Sequence, residues 1–210
     1  MKNIITSLII LSLILSCKKD KPAQSIDSTN TFKDEYFKDN LIYNENNFKD
    51  RTKTFKLENG NSIISNKQTQ KIGDIYYTAT MMPVEYYLKK NLKNKDSINF
   101  YKNKLKGERV VQFEFQHKDR KDLLDSEFTK TDYTTAVKYL AFKIKNDFYA
   151  ITQKGDTLKC KGVLFERNFK LAPFKRVLVY FKDSEEINNL RIIYNDNLFE
   201  NGIIKFNLIN

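Results

Sequence analysis

Histidine, cysteine, tryptophan, glycine and proline are all scarce in this chain of 210 residues: one His, two Cys, no Trp, 6 Gly and 3 Pro. A single His excludes multi-His metal centres. Two Cys exclude a disulfide-rich scaffold and a four-Cys zinc site. No P-loop, G-x-G-x-x-G, H-E-x-x-H or G-x-S-x-G pattern occurs, and Thr157-Leu158-Lys159-Cys160 is not C-x-x-C. What is present suits a folded core, since 40% of residues are hydrophobic, with 16 Phe and 12 Tyr among them. A charged fraction of 30% leaves room for a polar tail as well. The length suits one domain or two small ones.

The first residues are the most informative. Met1-Lys2-Asn3 is a short basic opening, and Ile4 to Leu15 is apolar except for Thr6, Ser7 and Ser12. The run is shorter than the roughly 20 residues a bilayer-spanning helix needs, but has the length of a signal-peptide core. Lys18, Lys19, Asp20 and Lys21 end it abruptly. In its last four positions, Ile14-Leu15-Ser16-Cys17, the segment resembles the lipobox of a bacterial lipoprotein precursor. Ile14 takes the aliphatic place, Ser16 the small one and Cys17 the invariant one; Leu15 stands where a smaller residue is commoner. The resemblance implies that residues 1–16 are a signal peptide, and that the Cys17 thiol carries a diacylglycerol. It also implies that the new N-terminus receives a further acyl chain such as palmitate. Each buried methylene contributes about 0.8 kcal/mol, and one chain holds only marginally, so two or three give a stable anchor. Lys18 is not the Asp that resembles an inner-membrane retention signal, so the expected location is the outer membrane, facing the periplasm or the cell surface. The composition, with 22 Asn beside abundant Lys and Ile, resembles that of Bacteroidota proteins.

After Cys17, residues 18–34 are polar, contain Pro22 and lack apolar periodicity. They read as a flexible tether, and seventeen residues of coil span about 20–25 Å. If Cys17 is lipidated, Cys160 has no intramolecular disulfide partner.

The net charge is +11, or +10 without Lys2. The excess is mostly Lys, with only six Arg, and no nucleic-acid motif is present, so a nucleic-acid partner is not expected. Positive charge is concentrated at Lys89, Lys90, Lys93, Lys102, Lys106 and Arg109, with Lys95 and Lys104 between them. Only Asp96 and Glu108 oppose it, and Tyr86, Tyr87, Phe100 and Tyr101 are interspersed. Two readings stay open. These are the solvated faces of two short helices, or they form a surface for an acidic partner or anionic headgroups, where each Lys contributes about 1 kcal/mol.

Periodicity then points to a mainly β (α+β) fold: an antiparallel β-sandwich or barrel-like module with a small helical insertion near 84–106. Thr54 to Leu57 and Ser62 to Ile64 flank the hairpin signal Asn59-Gly60. Ile75 to Met82 reads as a strand stopped by Pro83. Val84, Tyr87, Leu88 and Leu92 share one helical face, and so do Ile98, Tyr101 and Leu105, with Asp96-Ser97 as a cap and Gly107 as a stop. Val111, Phe113 and Phe115 alternate with Gln112, Glu114 and Gln116, the pattern of a half-buried strand. Lys121 to Phe128 reads as one or two helical turns, and Thr131 to Val137 as helix or strand. From Tyr139 onward everything reads as β. Leu140, Phe142 and Ile144 alternate, Thr157 to Phe165 forms one strand, and Val177 to Phe181 is apolar on both parities, as in a central strand. Asn201-Gly202 signals the last turn. The folded region covers 35–210, as one unit or as subdomains 35–130 and 131–210.

Candidates for chemistry are few. His117 continues the parity of Val111, Phe113 and Phe115 and reads as a rim residue rather than a general base. Carboxylates cluster at Asp122, Asp125 and Glu127 and at Asp183, Glu185 and Glu186. A third oxygen-rich stretch holds Asp196, Asn197, Glu200 and Asn201. None has EF-hand spacing. Phe165-Glu166-Arg167 and Pro173-Phe174-Lys175-Arg176 read as interface residues or as corner packing with a surface ion pair. Cys160 reads as a small inward hydrophobe. No cofactor is expected. The expectation is a lipid-anchored envelope protein that binds another envelope or exported protein, as an assembly component or an immunity-type partner. The alternatives are a hydrolase using paired carboxylates and a small-ligand carrier.

Overall fold

The computed structural model describes residues 43–168, 171–182 and 189–208. Residues 1–42, and with them Cys17 and the whole of the expected tether at 18–34, lie outside the described residues, as do Asp183, Glu185 and Glu186. Strands β1 (Thr52–Lys56) and β2 (Ser62–Ile72) form a hairpin whose turn uses Gly60 at φ 83°, a conformation that favours glycine. Strand β3 covers Ile75–Met82. Pro83, which lacks an N–H, ends it and stands at the N-terminal boundary of helix α1 (Val84–Asn91). Helix α2 (Lys95–Lys104) is capped by Asn94, whose side chain accepts from the Asp96 N–H at 2.8 Å. Strand β4 is Glu108–His117. Two short helices follow, α3 (Ser126–Thr129) and α4 (Tyr133–Lys138), the second capped by Asp132 accepting from Thr135 N–H at 3.0 Å. A π-turn (Tyr139–Lys143) and a 3₁₀ turn (Ile144–Asp147) lead into β5 (Phe148–Thr152), β6 (Thr157–Lys159), β7 (Gly162–Glu166), β8 (Phe174–Lys182), β9 (Leu190–Asp196) and β10 (Gly202–Leu208).

All pairings are antiparallel, and they make two sheets. Sheet I has the order β1-β2-β3-β4-β8-β7 and sheet II the order β10-β9-β5-β6. The arrangement is sandwich-like, with helices α1 and α2 inserted between β3 and β4; it is not a closed barrel. Sheet I takes strands from both sides of residue 130, because β4 pairs with β8 from Glu108↔Lys182 to Gln116↔Phe174.

The main core lies between the sheets. Tyr77, Phe113, Phe115, Val177, Val179 and Phe181 from sheet I meet Phe148, Ile192, Tyr194, Ile204 and Phe206 from sheet II. Aromatic rings fill the middle. Phe113 lies 4.9 Å from Phe148, 5.1 Å from Tyr194 and 5.3 Å from Phe206, centroid to centroid, at the tilted and edge-on angles that ring quadrupoles favour. The interior space that a carried ligand would take between the sheets is occupied by these rings. Asp196 is buried at one end, but it accepts from Tyr77 Oη at 2.6 Å, Tyr194 Oη at 3.1 Å, and the Leu198 and Phe199 N–H groups. Its role is to hold the β9–β10 turn to sheet I.

Several expectations are corrected here. Residues 139–147 are helical turns, not strand. Leu140 and Ile144 are buried, four residues apart, whereas Phe142 between them is 71% exposed. Spacing of four is a helical period, so the apparent alternation was incidental. Thr157 to Phe165 is two strands, not one. The chain leaves sheet II after Lys159 and joins sheet I at Gly162, with Lys161 N–H donating to Tyr180 O at 2.8 Å on the way. Leu164 is consequently exposed and shares no face with Cys160, which packs against the main core. The cap of α2 is Asn94 rather than Asp96-Ser97. Thr131 to Val137 resolves as helix, and Lys121 to Phe128 holds a single helical turn that begins only at Ser126.

Candidate functional site

The alternation in β4 predicts that Gln112, Glu114 and Gln116 face solvent. They do not: all three are buried. The outer face of sheet I is covered in turn. Phe55 of β1 packs with Met82, Val110 and Leu178, so β1 folds back over β3, β4 and β8, and Tyr86 and Tyr87 of α1 complete this apolar lid. The remaining polar half lies under the segment that begins at Tyr43. Tyr43 N–H donates to Gln116 Oε1 at 3.2 Å, Gln116 Nε2 donates to Tyr43 O at 2.7 Å, and Tyr43 Oη donates to Glu114 Oε2 at 3.2 Å.

Beneath Tyr43 is an ion-pair cluster. Arg176 donates to Glu114 Oε1 from Nε at 2.9 Å and from Nη2 at 2.6 Å, and its Nη1 reaches Glu166 Oε2 at 3.1 Å. Its guanidinium also lies 4.8 Å from the Phe174 ring centroid. Arg176 is therefore the buried centre of sheet I's outer face and not part of a surface ion pair, as its sequence context suggests. Burial pushes the Glu114 carboxyl up, but Arg176 and Lys53 outweigh this and hold it below the ordinary glutamate value. Burial lowers the Lys53 ammonium, opposed by Glu114. Burial likewise lowers Lys67, with Asp50 in partial opposition. Burial, and then Glu114, push the Tyr43 phenol well up.

The remaining candidates fall in different places. Lys175 pairs with Asp122 at 2.8 Å at the end of the sandwich, both largely buried. Asp125 and Glu127 are exposed, and Glu127 lies 3.5 Å from Lys121. The three carboxylates of this stretch therefore do not converge on one another in a cleft. His117 is buried rather than on the rim, because β4 is an interior strand of sheet I. Its Nδ1 accepts from Asp119 N–H at 3.1 Å, and its ring packs 5.0 Å from Phe128. Cys160 donates to Gly162 O at 3.1 Å, and burial pushes its thiol up, away from the reactive thiolate. Among the described residues no group of three or more His, Cys, Asp or Glu is placed to hold a metal ion.

The basic stretch is a separate surface. Lys90, Lys93, Lys102 and Lys106 are exposed, Lys89 pairs with Glu85 one helical turn away at 2.6 Å, and Arg109 is half-buried at the start of β4. Helix α2 has no buried residue. It holds Phe100 and Tyr101 at 63% and 40% exposure, edge to face at 5.3 Å, with Lys104 over the Tyr101 ring. The sequence marks this surface; the Glu114–Arg176 cluster is invisible in it, apart from the two-sided apolarity of β8.

No protein-family model matches the chain, no curated protein matches its sequence and no solved structure matches its fold.

Proposed function

We propose that this chain is a lipid-anchored cell-envelope protein that acts as a binding module. The observation that carries the reading is Ile14-Leu15-Ser16-Cys17, set at the end of an apolar run of signal-peptide length and followed at once by charge. Acyl chains on Cys17 hold the protein to the outer membrane, facing the periplasm or the cell surface, and the polar residues behind it serve as tether. The folded module then presents α1 and α2 to an acidic surface of another envelope or exported protein. Exposed Lys beside exposed aromatic rings supports that choice, since aromatic residues are enriched at the centres of interfaces and positive charge speeds encounter with an acidic partner.

Two experiments test it. Cells fed an alkyne fatty acid should yield labelled protein, and mass spectrometry should find a mature chain that starts at Cys17. Cys17→Ala should lose the label and remain a precursor. An unlabelled chain that still begins at Met1 overturns the anchor. For the surface, Lys90, Lys93, Lys102 and Lys106 are reversed together to Glu. The fold should survive, read by circular dichroism, while a specific cross-linked partner present with the wild type disappears. A partner retained at the same yield overturns the surface assignment, and so does binding only to anionic vesicles.

A further inference from the structure

The tripeptide Glu-Asn-Gly occurs twice in the chain, at Glu58-Asn59-Gly60 and at Glu200-Asn201-Gly202. An asparagine before glycine is open to attack by its own backbone. The glycine nitrogen, uncrowded by a side chain, bonds to the asparagine Cγ. Its proton departs with the side-chain nitrogen as ammonia, and a five-membered succinimide is left. One water then opens that ring, at one carbonyl to aspartate or at the other to isoaspartate. Each step exchanges one bond at a carbonyl carbon for another, so no oxidant or reductant is needed. Since the tripeptides are identical, a difference between the two sites comes from the fold.

Asn201 is held. Its Nδ2, the nitrogen that would leave, donates to Tyr77 Oη at 2.6 Å. Tyr77 is fully buried and donates in turn to Asp196 at 2.6 Å. Gly202 is the first residue of β10 and is paired opposite Asp196. Swinging the carboxamide over the Gly202 nitrogen gives up the Tyr77 bond and disturbs the end of β10. That end adjoins a carboxylate which also takes the Leu198 and Phe199 N–H groups. Asn59 is placed differently. It is exposed at the tip of the β1–β2 hairpin. Its carboxamide is met at the oxygen, by the Asn61 N–H at 3.2 Å, which polarises the carbonyl and favours attack at Cγ. For the attack, Gly60 N–H gives up a bond to Leu57 O at 3.0 Å. This is an exposed turn bond at the end of a hairpin, where local opening costs little.

We propose that Asn59 is a modification site at which the folded protein converts its own asparagine to isoaspartate and aspartate, and that Asn201 is protected from the same reaction. Isoaspartate adds one methylene to the main chain of the turn that closes Leu57 onto Asn61, and both products add a negative charge. The adjoining pairs Lys56↔Ser62 and Phe55↔Ile63 hold Phe55 against Met82, Val110 and Leu178. Conversion therefore loosens the apolar lid on sheet I. The inference rests neither on the lipid anchor nor on the basic surface.

The test is ageing of the purified full chain in neutral buffer, with and without urea, followed by digestion at mildly acidic pH and peptide mass spectrometry. In urea the two asparagines should convert at similar rates. In the folded protein Asn59 should convert steadily and Asn201 at least about tenfold more slowly, since one hydrogen bond is worth up to about that factor. Labelling by an isoaspartyl methyltransferase should mark residue 59. The label should be absent from Asn59→Gln, whose longer side chain must close a six-membered ring. Folded-state conversion at Asn201 as fast as at Asn59 overturns the proposal, and so does an Asn59 that converts only in urea. For the lid, amide exchange over 52–56 should quicken in the aged wild type and stay unchanged in aged Asn59→Gln. Equal exchange in the two, once Asn59 is converted in the wild type, overturns the effect on the lid.

Discussion

Glu114 stands in a strand where every sequence rule assigns it to solvent, yet it is buried and gripped by Arg176 through two nitrogens. Removing one partner of such a pair strands the other charge, at a cost of about 3–5 kcal/mol. Glu114→Gln is therefore expected to lose about that much in a urea titration at pH 7. The pH dependence has a definite sign. Burial raises the Glu114 carboxyl, but Arg176 and Lys53 lower it further, so its folded value lies below the ordinary 4.5. The unfolded chain then binds the proton more readily. This contribution to stability is complete above the unfolded value and is lost as pH falls through the folded one. Urea midpoints measured from pH 6 downward should fall below about pH 4.5 in the wild type, and fall less steeply in Glu114→Gln. Parallel curves would disprove the assignment.

Among the elements, the two inserted helices differ: α1 buries Leu88 and packs Tyr86 and Tyr87 on the outer face of sheet I, whereas no residue of α2 is fully buried. Capping and helix propensity therefore carry a larger share of the stability of α2 than of the strands around it. Asn94→Ala removes the acceptor for Asp96 N–H and should cost about 1 kcal/mol, visible as faster amide exchange confined to 95–104. Gly107 leaves α2 at φ 80°, and Gly107→Ala should be destabilising by about 1–2 kcal/mol for the left-handed backbone alone. These elements were legible in advance because their signals are local. Pro83, the spacing of Tyr87, Leu88 and Leu92, and Gly107 act within a few residues. The stretch 139–147 reads as strand in the sequence for a matching reason. Three apolar residues at alternate positions satisfy a strand pattern whether or not the middle one is buried, and Phe142 is not.

For the molecule as a whole, the corner between β2 and β10 shows how two sheets stay in register. Asn207 N–H donates to Gln68 Oε1 at 2.5 Å, and the Gln70 side-chain amide donates to Lys205 O, so two glutamines of sheet I hold the edge strand of sheet II. Gln68→Ala should speed exchange of the Asn207 amide about tenfold, in line with one net hydrogen bond, while the centre of β9 is unaffected. In the middle, Phe113 joins both sheets, and Phe113→Ala is expected to cost about 3–5 kcal/mol by cavity formation, read from chemical denaturation. The β6–β7 switch between sheets and the folding-back of β1 belong to this level too. Neither leaves a local trace, because each depends on which strand a segment meets across the chain.

By itself the amino-acid order determined the hairpin turns, the β-rich character, the helical insertion and the cluster of lysines. All of these are written in neighbouring residues, through backbone preference, side-chain period and charge. Only the tertiary structure decided that β1 and Tyr43 cover the outer face of sheet I. That covering turns Gln112, Glu114, Arg176 and Lys67 from an apparently solvated face into a buried polar layer. The reason is that burial of a strand's second face is set by what packs on it, and the segments that do so are separated from β4 by up to about seventy residues of chain.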